Sequence, residues 1–147
     1  MATESKQLPG DSGFKVRVVT PRGTAAETGT DAVTGPGRLG EFEVLPGHVP
    51  FLTELHPGVL VLGEAKKEYL AVGAGYLKVG SEGDIEVLVE RAIAGSEVDV
   101  EAAKAELAEA GPKVDAWSQS LGAEYKILKD RRDWAQAQID AHRQAGN

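Results

Sequence analysis

Gly35-Pro36-Gly37-Arg38-Leu39-Gly40 spells G-x-G-x-x-G, the spacing with which a backbone wraps a dinucleotide pyrophosphate. That chemistry needs a helix opening directly after the glycines, so that free N–H groups and the helix dipole meet the phosphates. Here Glu41, Phe42, Glu43, Val44 and Leu45 follow, and then Pro46, which is an extended run. The glycines therefore read as a turn. No P-loop spacing and no G-x-S-x-G elbow occurs. The three histidines, His48, His56 and His142, form no close pair on one helix face, and there is no cysteine to complete a zinc shell. His48, directly after Pro46-Gly47, reads as a turn histidine bonded to loop backbone or to a partner subunit. The carboxylates Glu41, Glu43, Glu54, Glu64 and Glu68 are scattered along strands and turns, and no acid/base pair stands out among them. The expectation is no catalytic residue, no metal and no cofactor.

One charged cluster remains. Lys126, Lys129, Arg131, Arg132 and Arg143 make one helix end locally basic in a chain of formal charge −7. They read either as a solvated face with local ion pairs or as a contact for an acidic partner. The overall negative charge repels a phosphate backbone, so no nucleic-acid partner is expected.

These residues need elements to hold them. A chain of 147 residues suffices for one domain or a domain with an appendage. Apolar content of 41% supports a core, and only 5% aromatics means it is built from Val, Leu, Ile and Ala. The absence of cysteine excludes disulfides and fits a reducing compartment. No apolar run approaches the ~18 residues of a membrane span. Residues 1–13 lack the apolar core of a secretory signal and read as a frayed polar tail.

Between residues 14 and 97 turns recur every few residues. Phe14-Lys15-Val16-Arg17-Val18 alternates with period two. Residues 59–62, 68–72, 76–79 and 85–89 are further β-rich runs, separated by Gly63-Glu64-Ala65-Lys66, Gly73-Ala74-Gly75 and Gly80-Ser81-Glu82-Gly83-Asp84. Pro46, Pro50 and Pro57 cut residues 40–62 into strand, turn, bend, strand, turn and strand. Residues 24–34 read as an edge strand. The expected architecture is a mainly antiparallel β-sandwich of about ten short strands.

From residue 98 to 147 alanine takes over, and an antiparallel two-helix hairpin is expected. Asp99 is placed to cap the first helix, with Val100, Ala103, Leu107 and Ala110 on one stripe and Gly111-Pro112 ending it. Val114, Trp117, Leu121, Tyr125 and Leu128 then make one face of a second helix, interrupted by the charged residues 129–133 and ending near Gln144. Alanine-rich faces bury little area, so the hairpin needs the outside of the sandwich, or another subunit, to cover it.

Residues 40–58 closely resemble the stretch G-E-F/L-G-I/V-L-P-G-H-A-P-L-L-T-x-L-x-P-G of the epsilon subunit of F-type ATP synthase. Further along, Tyr69 to Val79 is similar to that family's Y/F-L/A/V-V-x-G-G strand pair, and Ile85 to Ala92 to its V-T-V-L-A-D/E-x-A. Asp31-Ala32-Val33-Thr34-Gly35-Pro36-Gly37 resembles its D-x-V-x-x-P-G. Only the N-terminal tail lacks a counterpart. The resemblance implies a non-catalytic rotor component, peripheral on the cytoplasmic face of the bacterial inner membrane and membrane-associated only through its complex. Its sandwich would bind the gamma subunit and rest on the c-ring, with Glu41, Phe42, Pro46, Gly47 and His48 as interface residues. Its hairpin would dock on the sandwich or extend along gamma. When extended, Lys126, Lys129, Arg131 and Arg132 would meet the beta and alpha subunits and inhibit ATP hydrolysis.

Two positions depart from the pattern. Glu43 stands where the family has glycine, which implies an ordinary strand conformation. Some bacterial members bind ATP through I/L-D-x-x-R-A; here that stretch begins Val98-Asp99, and Ala102 replaces the arginine. Loss of the cation predicts no tight ATP sensing. An ATP-sensing regulatory module, or an adaptor of another assembly, is the alternative reading.

Overall fold

The computed structural model describes residues 13–47, 49–117 and 122–146. Expectations on the tail, on His48 and on Leu121 concern positions outside the described residues, apart from Gly13 of the tail.

Alternation builds the N-terminal part. In β1 (Phe14–Thr20), Val16 and Val18 are fully buried while Lys15 and Arg17 face water, as period-two placement requires. β8 (Gly75–Val79) buries Leu77 and Val79, and β9 (Ile85–Val89) buries Ile85, Val87 and Val89. The other strands are β2 (Gly23–Thr30), β3 (Val33–Gly37), β4 (Gly40–Val44), β5 (Phe51–Leu55), β6 (Gly58–Leu62), β7 (Glu68–Val72) and β10 (Ala92–Ala94). Their order is β10-β7-β6-β3-β5-β8-β9-β1-β2, with β4 paired to β3. The pairings are antiparallel except that of β1 with β9, which is parallel. β3 and β5 share a single register pair, Gly37 with Leu55, so the sheet folds over at that point. Its two halves enclose one core that includes Val18, Leu55, Leu60, Val72, Leu77 and Val87. This is the mainly antiparallel sandwich that the turn spacing predicts.

Residues 24–34 do not form one strand. β2 ends at Thr30, whose hydroxyl donates to the Ala32 carbonyl at 3.2 Å, and Asp31 accepts from the Glu64 amide at 3.1 Å. These bonds turn the corner into β3. β2 does lie at an edge of the strand order.

The glycines of residues 35–40 have a packing explanation. Gly35 pairs with Phe42 across the β3–β4 hairpin. A Cβ at Gly35 or Gly37 would come within 2.8 or 2.9 Å of the Phe42 ring. Gly40 follows the two-residue turn with φ +131°, a conformation that glycine adopts freely. The motif makes room for an aromatic ring, not for a phosphate.

After a single 3-10 turn at Gly95–Glu97, α1 spans Val100–Asp115 and α2 spans Ala123–Ala145. Asp99 caps α1 as expected, accepting from the Ala102 amide at 3.1 Å. The expected stop at Gly111-Pro112 is corrected: α1 runs through Pro112 to Asp115. Proline removes one donor and crowds the preceding turn. The buried stripe of Ala103, Ala110 and Val114 nevertheless continues beyond it, and packing against α2 holds the extra turn. Val114 therefore belongs to α1, and α2 starts only after Gly122, at φ +108°. The expected continuous face from Val114 to Leu128 is thus split between two helices, with the Trp117 and Tyr125 rings meeting across the connection at 6.2 Å.

The hairpin finds its second surface on the sandwich. Ala137 and Ala141 of α2 pack on Ala71 of β7, flanked by Val59, Ile93 and Trp134. Small side chains let the helix lie close. A Cβ at Gly95 would sit 2.5 Å from the Ala141 carbonyl oxygen, and the Gly95 carbonyl lies 3.0 Å from His142 Nδ1.

Candidate interaction surfaces

Three surfaces carry the residues singled out from the sequence. The first is the β4 region. Glu41 and Glu43 share its exposed face, and Glu43 sits opposite Thr34 in regular pairing. Pro46 and Gly47 lie exposed beyond the far end of the strand. Phe42 faces the other way. It covers Gly35 and Gly37, packs on the core and meets Phe51 edge-on at 6.4 Å. The structure therefore presents Glu41, Pro46 and Gly47 outward and uses Phe42 to brace the hairpin behind them.

The second surface was not singled out from the sequence. On the outside of the β5-β8-β9-β1 layer, Glu54, Tyr76, Leu88 and Val19 form one cross-strand row. Tyr76 and Leu88 are 51% and 46% exposed, and nearby Leu52 is 65% exposed. Tyr76, Leu88 and Val19, with Pro21 and Ala74, line a shallow depression of about 580 Å³. Beside it runs a charged row, in which Arg17 donates to Glu86 at 2.6 Å. That bond holds the Arg17 guanidinium above its ordinary pKa. The signal was available: Leu77 and Val79 point inward, so Tyr76 must point out.

The third surface is the basic stretch of α2. Arg131 donates through Nε to Glu106 and, at 3.0 Å, through a terminal nitrogen to Glu109, both on α1. The bond from Arg131 holds the Glu106 carboxyl below the ordinary glutamate range. The bonds to Glu106 and Glu109 push the Arg131 guanidinium up in turn. Lys129 pairs with Asp133 at 2.8 Å, and Arg132 pairs with Asp133 at 3.0 Å and reaches Asp115 at 3.9 Å. Lys126 is exposed and makes no ion pair among the described residues. At the start of α1 the Asp99 carboxylate is engaged by its own cap, and Ala102 presents only a methyl group. Among the described residues no group of carboxylates and histidines could hold a metal.

Residues 13–95 match the family described as ATP synthase, Delta/Epsilon chain, beta-sandwich domain. The ATP synthase epsilon chain of Geobacter metallireducens is 44% identical over 117 residues, which cover 79% of this chain and 81% of its own. This chain belongs to the ATP synthase epsilon family. A more divergent epsilon chain, from Magnetococcus marinus, is 35% identical over 127 residues, covering 86% of this chain and 91% of its own. The epsilon fold is also seen in a chain of the Euglena gracilis mitochondrial ATP synthase (OSCP/F1/c-ring), with a TM-score of 0.71 at 18% identity over 98% of this chain and 86% of that one. A chain of the Tetrahymena thermophila central stalk and c-ring assembly gives 0.58 at 16% identity, over 92% and 97%.

Proposed function

We propose that this epsilon chain is a non-catalytic rotor component of the central stalk, coupling the gamma subunit to the c-ring and so transmitting proton-driven rotation to ATP synthesis. Residues 14–97 act as the platform and residues 98–147 as an arm that restrains ATP hydrolysis. The observation that carries this reading is the apolar row of Val19, Tyr76 and Leu88 on the outside of the β5-β8-β9-β1 layer. Rigid strands hold it flat, and charged residues rim it, as at the centre of a protein interface. We assign gamma to that row, and the c-ring to the exposed Glu41, Pro46 and Gly47 side with His48. The solved neighbours are chains of an OSCP/F1/c-ring assembly and of a central stalk and c-ring assembly, which supports a place in an assembly of that kind.

The basic stretch fits an arm. While the helices lie together, Arg131 is held by Glu106 and Glu109 of α1. Separating the helices would free it for an acidic surface of the beta and alpha subunits. Among the described residues no helix is long and apolar enough to cross a membrane. In this reading the chain joins the cytoplasmic face of the bacterial membrane through the gamma subunit and the c-ring.

The test is co-purification of gamma with a Tyr76→Asp, Leu88→Asp variant. Both side chains are already half exposed, so the fold tolerates the change. Charges at the centre of an interface should weaken gamma retention at least about tenfold. A folded variant that retains gamma at full strength overturns the assignment. The ATP-sensing reading is judged separately: with Ala102 in place of a cation, isothermal titration should show no micromolar ATP binding.

A further inference from the structure

We infer that Arg91 is the positioning residue that seats α2 on the sandwich, and that ionic strength sets how firmly it does so. Arg91 lies between β9 and β10. Its guanidinium donates to Asp130 of α2 at 2.5 Å, and its central carbon lies 4.9 Å from the centre of the Trp134 ring. Asp130 and Trp134 stand four residues apart, so they share one helix face. Arg91 thus engages α2 in two ways at once, through an ion pair and by stacking on an aromatic ring.

The rest of the seat makes this contact decisive. Ala71, Ala137 and Ala141 lie at its centre, and alanines contribute little apolar area each. Trp134 is the one large side chain that α2 adds to this cluster, and it is the one that Arg91 covers. The other ion pairs of α2 connect it to itself or to α1. Among the described residues, Arg91 with Asp130 is the only ion pair joining strands to hairpin. The two side chains are 42% and 35% exposed, so dissolved salt screens their attraction. Arg91 also falls on the x of V-T-V-L-A-D/E-x-A, a position that the family pattern leaves open.

The inference rests on the reading of the hairpin as a separable arm, and the experiment keeps the two apart. In the full chain carrying Trp117→Phe, so that Trp134 alone reports, hydrogen exchange of α2 amides and tryptophan emission are followed from about 0.02 to about 0.5 M NaCl. Arg91→Gln should raise exchange across residues 134–141 roughly five- to tenfold at low salt. It should leave β8 and β9 unchanged and reduce the salt dependence to what the remaining ion pairs of α2 with itself and α1 supply. Arg91→Lys should keep the full salt dependence and lose the Trp134 emission signature. Asp130→Asn should show the same reduced salt dependence and keep that signature. Unchanged α2 exchange in Arg91→Gln overturns the inference, and so does an equal rise in the strands, which would mark Arg91 as a general structural residue. A loosened α2 with unaltered ATPase activity in the assembled enzyme leaves the seat standing and removes the inhibitory arm.

Discussion

Glu106 and Arg131 lie 25 residues apart in sequence, yet each favours the charged form of the other. The Glu106 carboxyl is held below its ordinary range by Arg131. Its contribution to the hairpin is therefore complete above the ordinary glutamate pKa and fades as pH falls through the lower value of the folded state. Arg131 is pushed upward and stays charged throughout that window. Helix melting followed against pH should show an acid-side loss of stability, and that loss should shrink in Glu106→Gln; identical profiles would show that the pair does not hold α1 to α2. The cations of this cluster were legible because Lys126, Lys129, Arg131 and Arg132 crowd one short stretch. Their partners were not. Glu106 and Glu109 face them only in the register that the α1–α2 crossing imposes, and neither composition nor local spacing encodes a crossing.

At the scale of the element, strands were more legible than helix ends. Tyr76-Leu77-Lys78-Val79 states which side chains point inward, and the structure obeys it. Proline misled. Pro112 reads as a stop, but helix ends are set by a sum of terms, and Ala110 and Val114 on the buried stripe outweigh one lost donor. Pro112→Ala restores that donor and relieves the crowding, so it should stabilise the hairpin by up to about 3 kcal/mol. Thermal melting would show this, and a lowered melting point would mean that the proline serves the α1 backbone in some other way. Gly95 makes the opposite case. Its missing side chain leaves room for the Ala141 carbonyl. Gly95→Ala should push α2 off its seat, seen as faster exchange in residues 137–145 with the strands intact. The sequence offered no sign of this, because nothing local distinguishes a glycine under a helix from one in a turn.

At the scale of the whole molecule, the sandwich has its own closed core, whereas the hairpin depends on it. Truncation after residue 97 should therefore leave a folded platform that still enters the complex, while ATPase activity of the reconstituted enzyme rises. Unchanged activity would remove the restraining role, and an unfolded fragment would show that the core borrows stability from α2. The closing of that core has a timetable. β1 pairs with β9, and Arg17 bonds to Glu86, 69 residues further on. A ribosome adding about 5–20 residues per second needs roughly 3–14 s to supply that distance. β1 thus waits for a hydrogen-bonding neighbour not yet translated, and until β9 arrives one of its edges stays open. β2 closes the other edge first, and Leu55, Leu60, Val72 and Leu77, all made before β9, are the apolar surfaces that can shelter Val16 and Val18 meanwhile.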